Sequence, residues 1–415
     1  MKSRLALSCI IVACMFTACK KEIENNKTQS LQGSQNLQLT QTNQKPTVIL
    51  TQTNNSVEHV TILNAKNGNA VSSQALSFDY PYGISENSLF YNNELIIPMG
   101  NKLLATDPAS HKAIWQTSLT NGDYDGFNFK TAPLCAGGNT IFETLTYTNA
   151  GAKKCFAINA ETGNVIWSTQ LGDNLTSSND KVSAPAYSNG FVYVPAVNNL
   201  YALNATDGSI AWKLSIGQQL FNPCVANNKV YISIVNAAIG HQDSVFVLDA
   251  ATGVLIWKKE VGKTNEIRTA VTYANSKIYI NLTDGLLAMN ADDGTQVWKF
   301  SVNISHSYGL GPAFVAGGTV YVPEVDHSSL YAIDDATGKR RWKADVGPVA
   351  SLYNQGPIVS DNIVYLLHPW GYLIAFDASS GTQLWNTYAA NIYGLPLVIN
   401  NNGQTIYDPS SGMQQ

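Results

Sequence analysis

Few side chains in this 415-residue chain are of the types that catalyse reactions or bind metals, and their spacing decides what they could do. Four of the six histidines (His241, His306, His327 and His368) fall between runs that read as strands, with Asp243, Glu324 and Asp326 beside them. Asp326 and His327, with His241 or His368, carry the nitrogen and oxygen donors that a divalent metal takes. Metal motifs hold their ligands at fixed short spacings, which these residues lack, so no metal site is assigned. Segments of the same kind hold Tyr82, Tyr124, Phe127, Phe221, Tyr308, Tyr353, Trp370 and Tyr393, together with Arg268, His306 and Asn354. Rings, an amide and a guanidinium suit contact with a polypeptide or sugar better than attack on a bond. No catalytic residue and no cofactor are assigned.

A covalent chemistry is written at the N-terminus. Lys2 and Arg4 precede an apolar run from Leu5 to Phe16 that is too short to cross a bilayer and ends in Phe16-Thr17-Ala18-Cys19. The tetrad resembles a bacterial lipobox, which implies cleavage before Cys19 and diacylation of its sulfur. Two or three acyl chains, at about 0.8 kcal/mol per buried CH₂, would make such an anchor effectively permanent. Lys20 stands where Asp would direct retention at the inner membrane, which points to the outer one. Residues 1–18 then read as signal peptide. Residues 19–46, rich in Gln, Asn, Thr and Ser, read as a lipidated cysteine and a flexible polar tether, and 47–410 as the folded body. Past the signal segment the cysteines are Cys19, Cys135, Cys155 and Cys224, and with Cys19 acylated an odd number remains. Small buried thiols are expected rather than a disulfide framework.

The whole chain is 45% hydrophobic and only 13% charged, enough for a large core. A formal charge of −4 with no Lys/Arg cluster argues against a nucleic-acid partner. No later segment is apolar for long enough to span a membrane as a helix, so membrane contact is assigned to the lipid alone.

The residues above are positioned by a repeat. Trp115, Trp167, Trp212, Trp257, Trp298, Trp342 and Trp385 recur at intervals of 41 to 52 residues, the period of a propeller blade. The unit is clearest in Ala332-Ile333-Asp334-Asp335-Ala336-Thr337-Gly338 followed by Trp342. It recurs as Ala157–Trp167, Ala202–Trp212, Ala288–Trp298 and Ala375–Trp385. Val247–Trp257 lacks the alanine, Ala105–Trp115 has His111 for the glycine, and a degenerate copy beginning at Ile62 has Ser72 for the tryptophan. The third and sixth positions can close side-chain turns, the glycine supplies positive φ, and the tryptophan packs one blade on the next. Between these C–D hairpins lies an A–B hairpin, as in Phe191-Val192-Tyr193-Val194, whose β-branched and aromatic residues suit a buried strand. Eight copies of each predict an all-β fold, a single eight-bladed propeller of four-stranded blades. A C–D pair from 58–76 and an A–B pair from 395–407 would share the closing blade. Seven blades follow instead if the degenerate copy is only a strap.

The Ala-x-Asp-x-x-Thr-Gly-x-x-x-Trp pattern resembles the tryptophan-docking motif of the PQQ-like, or quinoprotein-type, propellers over nearly all of 58–407. The resemblance makes the seven repeat tryptophans structural rather than cofactor-binding. It implies one of two functions. Quinoprotein dehydrogenases use PQQ, calcium, a catalytic Asp and usually a vicinal Cys-Cys pair. This sequence has no such pair, no Cys-x-x-Cys-His, and no calcium set that can be placed. Non-enzymatic envelope lipoproteins of the family, including one in outer-membrane barrel assembly, share the lipobox, the length and the single propeller. The expected reading is therefore a monomeric, non-enzymatic binding or scaffolding propeller. Its partner would be an envelope protein or other polymer, a glycan or peptide being the alternative ligand. The expected place is the cell envelope, at the outer membrane. In an A-B-C-D meander the D–A and B–C connections share one face. All the aromatic and histidine candidates fall there, while Asn189 and Lys339 lie on the tight-turn face.

Overall fold

The computed structural model describes residues 46–54, 57–76, 88–120, 129–147, 153–172, 183–196, 199–216, 219–235, 242–261, 267–302, 309–324, 329–347, 356–368, 371–388, 396–400 and 405–406. Cys19, the tether and most of the predicted loop residues lie outside them. No described helix is long and apolar enough to cross a membrane.

The described residues form eight antiparallel sheets, an eight-bladed β-propeller. Blade 3 shows the plan. Ala186–Ser188, Phe191–Ala196, Asn199–Asn204 and Ile210–Ser215 are strands A to D, each paired with the next. Blade 1 spans 89–118, blade 2 129–171, blade 4 219–260, blade 5 272–301, blade 6 314–345 and blade 7 358–388.

The eighth blade closes the ring, though not by the expected two-plus-two division. The N-terminal segment supplies strands B, C and D as Thr47–Asn54, Val57–Asn64 and Ala70–Ala75. The C-terminal Leu397–Ile399 supplies strand A, pairing Val48 with Val398, and Thr405–Ile406 adds an inner fifth strand. Thr47–Asn54 was not counted because it falls before the repeat register begins. Its Val48, Ile49 and Leu50 are nonetheless buried, as a central strand requires. Closure of this kind removes the exposed edges of an open sheet.

Each C–D turn forms as its side chains dictate. Asp334 Oδ1 accepts the N–H and hydroxyl of Thr337 at 2.9 and 2.7 Å, and Gly338 takes φ of 70°. The A–B turns instead place two residues at positive φ, such as Asn227 and Asn228 in blade 4, where asparagine tolerates the left-handed region.

The core lies between blades. At seven seams the Trp of one blade lies on the turn glycine of the next. An added Cβ there would sit 2.5 to 3.0 Å from the indole. The indole N–H donates to the carbonyl three residues before that glycine, for example Trp115 to Ala160 at 2.9 Å and Trp342 to Ala378 at 2.9 Å. Strand B adds a second tie. The hydroxyls of Tyr193, Tyr321 and Tyr365 donate to the carbonyls of Ala250, Ala378 and Ala65, which also accept from Trp212, Trp342 and Trp385. One carbonyl thus satisfies two buried donors that would otherwise cost about 1–3 kcal/mol each. In blade 5 the pattern is rebuilt around a carboxylate. Asp335 accepts from Lys277, Asn275 and the hydroxyl of Tyr279, while its own carbonyl takes Trp298 Nε1.

Cys135 and Cys155 are buried and Cys224 is half-buried, and all three are free thiols. Burial pushes Cys155 and Cys224 up to about 12, far from thiolate at neutral pH, so they act as small core residues.

Candidate binding face

The meander sends the A–B and C–D turns to one face and the B–C and D–A connections to the other. On the second face, blade 7 differs from its neighbours. His368 ends strand B, Tyr372 begins strand C and Tyr388 ends strand D, and the register pairs His368 with Tyr372 and Tyr372 with Tyr388. The period of two therefore aligns three rings across three strands on one side of the sheet. The His368 and Tyr372 rings meet edge to face at 6.0 Å, and those of Tyr372 and Tyr388 lie 5.0 Å apart at 56°. Exposure rises along the row, from 5% at His368 to 37% at Tyr372 and 62% at Tyr388. Gly371 shapes the entry, at φ of 80° with its N–H on the His368 carbonyl at 2.9 Å. Burial lowers the His368 pKa, so this histidine is a neutral inner wall at physiological pH.

No other described blade places a tyrosine, phenylalanine or tryptophan at these register positions; blade 1 has Met99, Lys102 and Ser118 and blade 5 has Leu282, Gly285 and Ser301. Blade 3 has Ala196, Asn199 and Ser215, the last two joined by a 2.7 Å side-chain hydrogen bond. Blade 6 has Glu324, Ser329 and Asp345. The row in blade 7 is therefore no requirement of the fold. Two apolar-bodied rings with hydroxyl tips, partly exposed on a fixed strand pair, can lie against a peptide or a flat apolar patch at little entropic cost.

Several residues expected to line loops prove to be structural. Glu324 is 2% exposed and ends a strand, with Oε2 accepting Tyr331 Oη at 2.8 Å. Asp243 is fully buried, and its Oδ2 takes the Ile267 N–H at 2.7 Å, fastening blade 4 to the start of blade 5. His368 belongs to a strand rather than to a loop. Phe221 packs partly against the core between blades 4 and 5. Arg268 is half-buried beside Gly309, and its Nε has no hydrogen-bond partner among the described residues. Tyr82, Tyr124, Phe127, His241, His306, Tyr308, Asp326, His327, Tyr353, Asn354, Trp370 and Tyr393 lie outside the described residues. Trp370 falls between His368 and Tyr372 in sequence.

The sequence reading missed Tyr372 and Tyr388, which look like ordinary strand residues. The signal was in the repeat: three residues after each Trp stand Ser118, Gln170, Ser215, Glu260, Ser301 and Asp345, and only blade 7 has a tyrosine.

Eight four-stranded blades with a docked tryptophan at seven seams define a PQQ-like repeat propeller. The family model described as outer membrane protein assembly factor BamB matches residues 56–184, 156–289 and 283–412, and the chain belongs to that family. Among solved structures it is similar to BamB from Moraxella catarrhalis, at TM-score 0.57 and 14% identity, covering 77% of this chain and 92% of that one. It is also similar to the quinohemoprotein alcohol dehydrogenase of Comamonas testosteroni, at TM-score 0.59 and 13% identity, covering 76% of this chain and 70% of that one. At such identities the likeness is one of fold. A polyvinylalcohol dehydrogenase from a Pseudomonas species is 24% identical over 165 residues, 34% of this chain and about a quarter (26%) of that protein's length.

Proposed function

We propose that the chain is a non-enzymatic binding or scaffolding propeller, held in the cell envelope through a lipid on Cys19. On this reading it engages an envelope protein through its D–A and B–C face, in outer-membrane protein assembly. The observation that carries the proposal is the His368–Tyr372–Tyr388 row, an exposed aromatic surface that the repeat does not require. Membership of the BamB family supports the assembly role.

The second reading, a PQQ-dependent dehydrogenase, is favoured by the polyvinylalcohol dehydrogenase match. Such enzymes bind the quinone beside calcium, which takes six to eight oxygen ligands dominated by carboxylates. Among the described residues no three His, Cys, Asp or Glu side chains converge on a point that could hold a metal ion. The buried carboxylates are spread over three blades, Glu143 in blade 2, Asp243 in blade 4, and Glu324 and Asp335 in blade 6, and the last three are engaged in structural contacts. The described donor set therefore does not fit the group, and no step is derived through it.

The two readings separate in one experiment. PQQ and calcium are added to the purified propeller, and thermal melting and dye reduction with alcohols, polyvinyl alcohol or aldoses are followed. A ligand at one hundred times its dissociation constant would stabilise the fold by about 2.7 kcal/mol, so binding would register. The scaffold reading expects neither a shift nor turnover. A shift accompanied by turnover overturns it.

A further inference from the structure

The tryptophan and the turn glycine are each replaced once, and both replacements fall at one seam. Seven tryptophans dock on seven glycines: Trp115 on Gly163, Trp167 on Gly208, Trp212 on Gly253, Trp257 on Gly294, Trp298 on Gly338, Trp342 on Gly381 and Trp385 on Gly68. Each docks onto the next blade in chain order. The eighth contact would run from the outer strand of the closing blade, Ala70–Ala75, to the C–D turn of blade 1. There the tryptophan position holds Ser72 and the glycine position holds His111.

The two departures explain each other. A Cβ at the seven glycines would press on the indole that lies there. With serine in place of tryptophan no indole covers the turn, and a side chain stands at the glycine position. His111 keeps the turn's geometry, with φ of 58° and its N–H on the Asp107 carbonyl at 2.7 Å. His111 is 9% exposed, and neither Nδ1 nor Nε2 has a hydrogen-bond partner among the described residues. A buried imidazole with no hydrogen-bond partner among the described residues thus stands at the seam that lacks the indole–carbonyl bond of the others. The same closing blade joins the two ends of the chain, pairing Thr47 with Ile399, Val48 with Val398 and Ile49 with Leu397, as many positions as the A–B pairs of blades 3 and 5 have.

We infer that the ring is built to open at the seam between the closing blade and blade 1, and that protonation of His111 loosens it. The groups around the imidazole bear on the sign. From its own turn, Asp107 is the one charge acting on it among the described residues. That carboxylate already accepts the N–H groups of Ala109 and Ser110 at 3.1 and 2.6 Å. Across the seam the strand Ala70–Ala75 (Ala-Val-Ser-Ser-Gln-Ala) carries no titratable side chain. The closing blade's own turn carries the exposed Lys66, and in blade 1 the partly buried Glu94, whose pKa is raised chiefly by burial, interacts with Asp107. Burial therefore outweighs Asp107 and lowers the His111 pKa below its usual value. The folded ring prefers neutral His111. Its stability is full above the unfolded pKa, near 6.5, and is lost as pH falls below it.

The test is hydrogen exchange on the whole native chain at pH 7.5 and 5.5, corrected for intrinsic rates. The C–D hairpins of the closing blade (64–75) and of blade 1 (106–118) are expected to exchange at least tenfold faster at pH 5.5. The six other C–D hairpins should hold steady. His111→Gly, which suits the positive φ, should abolish this pH response. Ser72→Trp with His111→Gly builds the eighth docking pair and should bring the seam to the protection of the others at both pH values. Equal protection of all eight hairpins in the unaltered chain at pH 5.5 overturns the inference without recourse to any variant. So does an undiminished acid response in His111→Gly.

Discussion

The indole N–H of Trp385 donates to the carbonyl of Ala65 at 3.1 Å, joining positions 320 apart in sequence. The same ring lies on Gly68, where an added Cβ would come within 2.5 Å of Cε3 at φ of 68°. Thr387 completes the contact by donating to the Gly68 carbonyl at 2.8 Å. The degenerate first repeat is therefore a full docking acceptor, and the ring closes through side chains as well as through the strand pairing of Val48 with Val398.

Gly68→Ala and Trp385→Ala are accordingly expected to be coupled. Trp385→Ala, which truncates a buried indole, should cost about 3–5 kcal/mol. Gly68→Ala should cost more than the roughly 1–2 kcal/mol of a left-handed alanine, because the methyl also displaces the indole. In the Trp385→Ala background only that backbone cost should remain. Urea unfolding of the four variants measures the interaction energy. Simple additivity would show that the two residues do not meet.

Asp335 gives the seam between blades 5 and 6 an acid dependence of its own. Burial pushes its carboxyl up, but hydrogen bonds from Tyr279, Lys277 and Asn275 prevail and hold it below the usual carboxylate range. A depressed folded pKa means that the contribution is present above the unfolded value, about 3.9, and lost as pH falls through the folded one. Lys277→Met should therefore destabilise the chain at pH 7 by about 1.5–3 kcal/mol, the range of a hydrogen bond to a charged group, because the pair is only partly buried. Two neutral donors, Asn275 and Tyr279, remain on Asp335 and limit the loss. The penalty should shrink at pH 3. A penalty independent of pH would indicate lost packing rather than lost charge.

The blades were legible in the sequence because a propeller repeats its instructions. The Asp-x-x-Thr-Gly turn and the later Trp specify local geometry through contacts that recur at seven seams, so seven copies could be read against one another. What happens once was harder to read. Thr47–Asn54 carries no repeat signature, and only its pairing with Leu397–Ile399 reveals it as strand B of the closing blade. Glu324 and Asp243 looked like loop carboxylates because burial depends on which chain segment packs above them. The partners that claim them, Tyr331 and Ile267, are set by register and not by composition. Tyr372 and Tyr388 were hidden for the opposite reason, since strand tyrosines are common in the core and only the three-dimensional edge leaves these exposed.

Cys19→Ala is expected to move the chain from the membrane to the soluble fraction, because the lipid is the only membrane affinity assigned to it. Fractionation with labelled palmitate checks this. A variant that still incorporates label and sediments with membranes would refute the anchoring.

The last expectation concerns the blade 7 row. Tyr388 is 62% exposed and Tyr372 37%, so neither is a core cap, and truncation leaves no enclosed cavity. Tyr388→Ala should change stability by no more than about 0.5 kcal/mol, as surface substitutions do. Tyr372→Ala should cost slightly more, since its ring also meets His368 and Tyr388. If the row is the partner surface, each truncation should weaken capture of an envelope protein by about 1–3 kcal/mol, the range of an interface aromatic of middling weight. Trp370→Ala should act in the same direction, and the double Tyr372/Tyr388 variant should fall short of the sum because the two rings touch. Lys339→Ala and Asn189→Ala, on the tight-turn face, provide the comparison. Pull-down from solubilised envelopes and thermal melting on the same six proteins give both readouts. Loss of capture by the tyrosine variants at unchanged melting temperature supports the face. Loss by the Lys339 or Asn189 variants alone would move the partner to the other side of the ring.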